Sequence, residues 1–347
     1  MPTHTTTRQE PAEFTIELAR AGLSPLWENL HNLVPPEPRP AAHPAHWRYV
    51  EDIRPLLFEA GARISTGQAE RRVLVLENPG LPGQSATTGS LYAGYQLVLP
   101  GEIARAHRHS QSALRFVIEG KGAFTTVSGE QLRMAPGDLV LTPRWTWHDH
   151  GNDSDAPIVW LDGLDIPLVN FLNAGFAEPS DQEIQPVTKA AGDTLARFGA
   201  NMAPASWRAE PHQAPLLHYP YARTRAALAA LAAAERPDPH HGHRLRYVNP
   251  ANGGDVLPTM AAYLQLIPGA FATKPYQTTE STLFVVAEGE GRSHVGGQAY
   301  NWRRHDTFVA PSWVEVSHEA KSESVLFSFS DMPVQRALGL WRDKISE

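Results

Sequence analysis

The chain has no cysteine among its 347 residues. Disulfides and thiolate metal sites are therefore excluded, and the composition agrees with a reducing compartment. Long apolar runs are also missing. The longest uncharged stretch, Val256 to Thr273, is broken by Pro258, Pro268 and Gly269, so no membrane span is expected. The opening residues, MPTHTTTRQEPAEF, contain no apolar signal core, and a cytoplasmic location is the expectation. No tract of lysine or arginine occurs and the net charge is -7, so nucleic acid is not an expected partner. What the chain has in quantity is proline, 30 residues, which implies turns and strand edges rather than a helical bundle.

The most informative stretch runs from Gly101 to Asn152. It reads GEIARAHRHSQSALRFVIEGKGAF, turns at Ser128-Gly129, and continues to MAPGDLVLTPRWTWHDHGN. Arg105 to Val117 has no helical period and reads as a strand. Alternation along a strand sends His107 and His109 to one side; on a helix, positions two apart diverge. A return through Pro136-Gly137 brings His148 against them. Three neutral imidazoles suit iron, zinc, copper or nickel, and leave coordination positions open for chemistry. Sixteen histidines make a single His-x-His pair unsurprising, so the surrounding frame carries the argument: Gly101 and Glu119-Gly120 on one side, Gly137, Pro143, His148 and Asn152 on the other.

Arg115 shares strand parity with His107 and His109, and His150 with His148, so both are expected to point inward. An arginine cannot ligate a metal, because it stays protonated, but it can grip a carboxylate through two hydrogen bonds. Gln96 lies on the preceding strand. Asp162, in WLDGLD, is an acid at an apolar strand end and is expected to pair with an imidazole or arginine. Arg71 or Arg72 is expected to reach the same pocket. Gly94 leaves room that an alanine would fill, which bears on substrate choice. The His240-His241-Gly242-His243 cluster reads as a polar loop.

Turn signals and short strands point to all-β barrels, and the pattern repeats. Glu288-Gly289-Glu290-Gly291 echoes Glu119-Gly120-Lys121-Gly122, and Pro311-Ser312-Trp313 echoes Pro143-Arg144-Trp145. In the repeat, Pro275, Gln277 and Val316 are expected at the places of His107, His109 and His148, so that barrel should hold no metal by the same means. The expected order is a helical and proline-rich segment over residues 1–65, a metal-binding barrel over 66–175, a linker with a helix over 176–245, a second barrel over 246–332, and a terminal helix over 333–347.

The two halves of the His frame resemble the cupin motif, with Ala113 where many cupins carry a glutamate and Trp145 where a glycine is usual. More closely, AHRHSQSALRFVIEGKGAF, TPRWTWHDHGN, WLDGLDIP, RYVNPANGGDVLPT and APSWVEV resemble the bicupin ring-cleaving dioxygenases of the gentisate 1,2-dioxygenase family, which includes salicylate and 1-hydroxy-2-naphthoate dioxygenases. The resemblance implies two jelly-roll barrels, one Fe(II) per chain held by His107, His109 and His148, a cytoplasmic homotetramer, and an aromatic hydroxy-acid substrate with O2. For that chemistry the residues themselves make Arg115 and Gln96 the candidates to hold the carboxylate, and His150 the candidate proton acceptor or hydrogen-bond donor near oxygen. Other cupins are isomerases or non-catalytic binding or storage proteins. Those would need no pocket for an aromatic acid.

Overall fold

Val73–Val75, Tyr92–Val98, Ile158–Leu164, Ala113–Glu119, Leu139–Thr142 and His218–Tyr219 lie side by side in one antiparallel sheet. Facing it is a five-stranded sheet ordered Ala177–Pro179, Ile103–His109, His148–Gly151, Phe124–Val127, Glu130–Arg133. These form the first barrel. A second pair of sheets repeats the design. Its larger sheet holds Ala261–Ile267, Thr282–Glu288, Thr307–Ala310 and Ser324–Ser330, and its smaller sheet holds Glu290–Val295, Val316–Ala320 and Tyr276–Thr278. The architecture is a bicupin. The computed structural model describes residues 11–69, 71–210 and 212–345.

The central strands of the larger sheets are buried almost without a break. One face lines a barrel interior and the other packs against the second barrel, so these strands read as continuous apolar runs. The shared layer includes Phe116 stacked on Phe327, with ring centroids 4.2 Å apart. Tyr95 crosses it too, donating to the carbonyl of His305 at 2.8 Å. Strand Ala45–Trp47 pairs with Thr307–Ala310 of the second barrel, and His218–Tyr219 pairs with the first. Residues 11–39 form a separate unit with helices Pro11–Arg20 and Leu26–Leu33. They are divided where Gly22 takes a positive φ and Pro25 precedes the second helix.

Several local expectations change. The strand expected from Arg105 to Val117 is two strands, Ile103–His109 and Ala113–Glu119, which belong to different sheets. Ser112 N–H donates to the buried carboxylate of Asp165 at 2.9 Å and holds the turn between them. The terminal helix is confined to Met332–Ala337, and Asp343–Ile345 is a strand on Tyr276–Thr278. In the second barrel Tyr276 faces Val316 as His107 faces His148. The counterpart of His107 is therefore Tyr276 and not Pro275, and two residues on, Thr278 and not Gln277 stands for His109.

Candidate metal centre and carboxylate pocket

His107 and His109 sit on Ile103–His109, and His148 faces His107 from the neighbouring strand. A nitrogen from each ring lies within 4.8 Å of the others. The ring centroids are 5.3, 4.1 and 4.9 Å apart. In all three, Nδ1–H donates to a backbone carbonyl: His107 to Arg105 at 3.1 Å, His109 to Gln111 at 2.9 Å, His148 to Thr146 at 2.8 Å. Those bonds fix the tautomer and aim each Nε2 at a common point. His148 Nε2 is buried with no hydrogen-bond partner among the described residues, which costs free energy unless a ligand fills the place.

Charge prepares the same point. Burial, then Arg71, pushes His107 down to about 3. Burial takes His109 down to about 4, with Arg115 adding to it. His148 falls well below its ordinary value, through burial and then His107 and Arg115. All three rings are therefore neutral at physiological pH, the state that binds a metal. The donor set, three nitrogens with open positions left over, fits a catalytic divalent transition metal.

Arg115 is buried beside this cluster. Its Nη1 donates to Thr142 Oγ1 at 2.5 Å and its Nη2 to His150 Nε2 at 3.1 Å. Its Nε lies 3.1 Å from Asp162 Oδ1. That N–H is not aimed at the oxygen, so the contact is an ion pair rather than an aligned hydrogen bond. Burial drives Asp162 up and Arg115 opposes it. Inward placement of Arg115 does not come from shared parity with His107, because the strand between them is broken. It comes from the inner face of the opposite sheet, where Arg115 faces Asp162 and Asp162 faces Gly94.

His150 is engaged at both ring nitrogens. Thr125 Oγ1 donates to the carbonyl of Asp149 at 2.9 Å, so it accepts from His150 Nδ1–H at 2.7 Å. His150 Nε2 then accepts from Arg115. Both ring nitrogens are engaged, and burial with the nearby arginines keeps the ring neutral. In this arrangement His150 braces Arg115, and both of its ring nitrogens are occupied.

Gln96 is buried on the same face as Gly94, and its amide has no hydrogen-bond partner among the described residues. Arg71 reaches the cluster: its Nη2 is 2.7 Å from both ring nitrogens of His107. Arg72 does not. Successive residues of an extended segment face opposite ways, and Arg72 binds the carbonyl of Ile64 at 2.9 Å and the carboxylate of Glu102. Gly94 does not leave room. A Cβ there would stand 2.6 Å from Val73 Cγ1 and 3.0 Å from the Tyr92 hydroxyl. Sequence reasoning missed Tyr92, Thr125 and Thr142. Tyr92 could have been found from its parity with Gly94 and Gln96, whereas the two threonines depend on cross-strand register.

Residues 94–164 match the family model "Cupin domain". Gentisate 1,2 dioxygenase 1 of Aquipseudomonas alcaligenes is 48% identical over 96% of each chain. The crystal structure of a salicylate 1,2-dioxygenase from Pseudaminobacter salicylatoxidans superposes with a TM-score of 0.92 at 35% identity, covering 99% of each chain. A point variant of the Pseudoaminobacter salicylatoxidans enzyme in complex with gentisate gives 0.91 at 34% identity, over 100% of this chain and 98% of that one.

Proposed function

The chain belongs to the gentisate 1,2-dioxygenase family, and from that premise we propose that it cleaves the ring of gentisate with O2. The bond between the carboxyl-bearing and hydroxyl-bearing carbons breaks, both oxygen atoms enter the product, and maleylpyruvate results. The observation that carries this reading is the bare Nε2 of His148 beside the buried Arg115–Asp162 pair. It joins an open metal position to a carboxylate-binding cation.

His107, His109 and His148 would hold one Fe(II) per chain. When bound, iron(II) supplies open positions for a chelating ortho-hydroxy acid and for O2, and electronic contact between them. The protein does the rest. Arg115, fixed by Thr142, His150 and Asp162, receives the substrate carboxylate. Gln96 offers an unpaired amide. Arg71, whose Nη2 lies 2.7 Å from both ring nitrogens of His107, cannot itself be a ligand because it stays protonated; it would add positive charge beside the site, which suits an anionic substrate. The work is assigned to the barrel over 66–175, with the barrel over 246–332 as its metal-free companion.

A second reading, salicylate or a substituted salicylate as the preferred substrate, is favoured by the match to salicylate 1,2-dioxygenase. No described helix is long and apolar enough to cross a membrane. We propose a cytoplasmic homotetramer, and exposed Phe171, Leu172 and Phe176 give it apolar surface to bury. The test is metal analysis of protein purified without oxygen, followed by oxygen uptake with gentisate, salicylate, 1-hydroxy-2-naphthoate and catechol. Gentisate should be fastest and catechol, which has no carboxylate, inert. Faster turnover of salicylate reverses the ranking, and turnover of catechol removes the carboxylate argument.

A further inference from the structure

The second barrel has lost the metal ligands but kept other parts of the first. Gln265 faces Leu326 as Gln96 faces Trp160. His318 faces Ser293 and bonds to it at 2.8 Å, as His150 does with Thr125. At the place of Arg115 stands Phe284, which faces Ser328 as Arg115 faces Asp162. A barrel kept only for packing has no use for buried polar groups, because each costs free energy unless it is paired. Yet Gln265 is fully buried with both amide atoms unpartnered, and His318 Nε2 is buried and unpartnered, among the described residues. Ser293 accepts from Trp302 Nε1–H at 2.8 Å.

A cavity of about 250 Å³ opens on this barrel, lined among others by His241, Arg244, Tyr263, Tyr276, Glu280 and Trp341. Arg244 is half-buried. Its guanidinium lies over the Tyr263 ring at 3.8 Å, and its Nε–H is buried with no hydrogen-bond partner among the described residues. Stacking occupies a face of the guanidinium and leaves its N–H edge unused. His241 packs edge-on against Tyr276 at 4.5 Å, and Tyr276 lies 6.5 Å from His318. His318 is pushed down to about 3 by burial, then by His241 and Arg244, so the cavity and the buried histidine share one electrostatic environment.

We propose that the second barrel is a second ligand site that takes a small one-ring monocarboxylate without any metal ion. Arg244 binds the carboxylate and the rings of Tyr263, Tyr276 and Trp341 supply the flat walls. A partly desolvated guanidinium with a free edge matches a carboxylate. The volume is below the usual range of roughly 300–1,000 Å³ for larger ligands, which limits the guest to one ring. Glu280 is engaged by Ser330, whose hydroxyl donates to it at 2.5 Å, and the wall also carries Arg336 and Asp343. The inference rests on the second barrel alone and stands apart from the dioxygenase reading.

Equilibrium dialysis of radiolabelled benzoate against the metal-loaded protein tests it, with Arg244→Gln and the cavity-filling Thr278→Trp as variants. Each variant should lose one benzoate site per chain, or weaken it by about tenfold or more, with gentisate turnover unchanged. Benzamide, the same ring without the charge, should bind at least about tenfold more weakly to the parent. No benzoate binding to the parent overturns the proposal. So does an unchanged site count and affinity in either folded variant, or equal binding of benzamide.

Discussion

Arg115 donates from Nη2 to Nε2 of His150 across 3.1 Å, and this bond decides what both residues can do. Because His150 must accept there, its proton stays on Nδ1 and points to Thr125. Because Arg115 is held at Thr142, His150 and Asp162 together, its planar fork has one orientation. A clamp fixed before substrate arrives loses little freedom on binding.

Arg115→Lys should therefore cost more than a conserved charge suggests. Lysine cannot hold three partners in one plane. Loss of a charge-assisted bond of this kind is worth roughly 1.5–3 kcal/mol, or about ten- to a hundredfold in kcat/KM. Metal content should not change, because the residue is not a ligand. Oxygen-uptake kinetics and metal analysis on the same sample check this. Parental efficiency with full metal would remove Arg115 from the carboxylate site.

Any of His107→Ala, His109→Ala or His148→Ala should abolish metal and turnover together. Each deletes one of three nitrogens that converge within 4.8 Å. The parent should approach one iron per chain, since Tyr276, Thr278 and Val316 stand at the corresponding places of the second barrel. Normal iron and turnover in one of the three variants, or two tightly held ions in the parent, would contradict the assignment.

The alternation of His107 and His109, the inward pair His148 and His150, and the internal repeat were legible in the sequence because they are local or periodic. What was not legible depends on distant partners. The break after His109 is held by Asp165, far along the chain, and SQSALRF contains no glycine or proline to announce it. The choice between Arg71 and Arg72 turns on Glu102 and Ile64. The one-residue error at Tyr276 arose because the two repeats differ in loop length before this strand, and a slip of one exchanges the faces of a strand.

Gly94→Ala should destabilise, by about 1–3 kcal/mol as overpacking does, because the new methyl meets Val73 Cγ1 at 2.6 Å. Val73→Ala in the same chain should relieve most of that loss. A double-mutant cycle on thermal midpoints measures the coupling. Additive effects of the two changes would mean that Val73 does not fill the space beside Gly94.

Asp331 gives a pH prediction far from the metal. It is 6% exposed, and burial raises its carboxyl from 3.8 to about 6. Ser90 Oγ–H donates to it at 2.5 Å and Ser281 N–H at 2.9 Å, which moderates the rise without cancelling it. The folded value lies above the unfolded one, so the group favours folding while protonated. That contribution is complete below about pH 4 and is lost as pH rises through about 6. The difference of about two units corresponds to about 3 kcal/mol. The side-chain amide introduced by Asp331→Asn does not titrate, and its carbonyl oxygen can still accept from Ser281. The thermal midpoint of Asp331→Asn, relative to the parent, should therefore rise between about pH 4 and 6 and stay level above that window. Carboxylates remote from Asp331 titrate in both proteins and cancel in the comparison. Parallel midpoints from about pH 4 to 7 would show that Asp331 ionises normally in the folded protein, and that its bonds to Ser90 and Ser281 fully offset its burial.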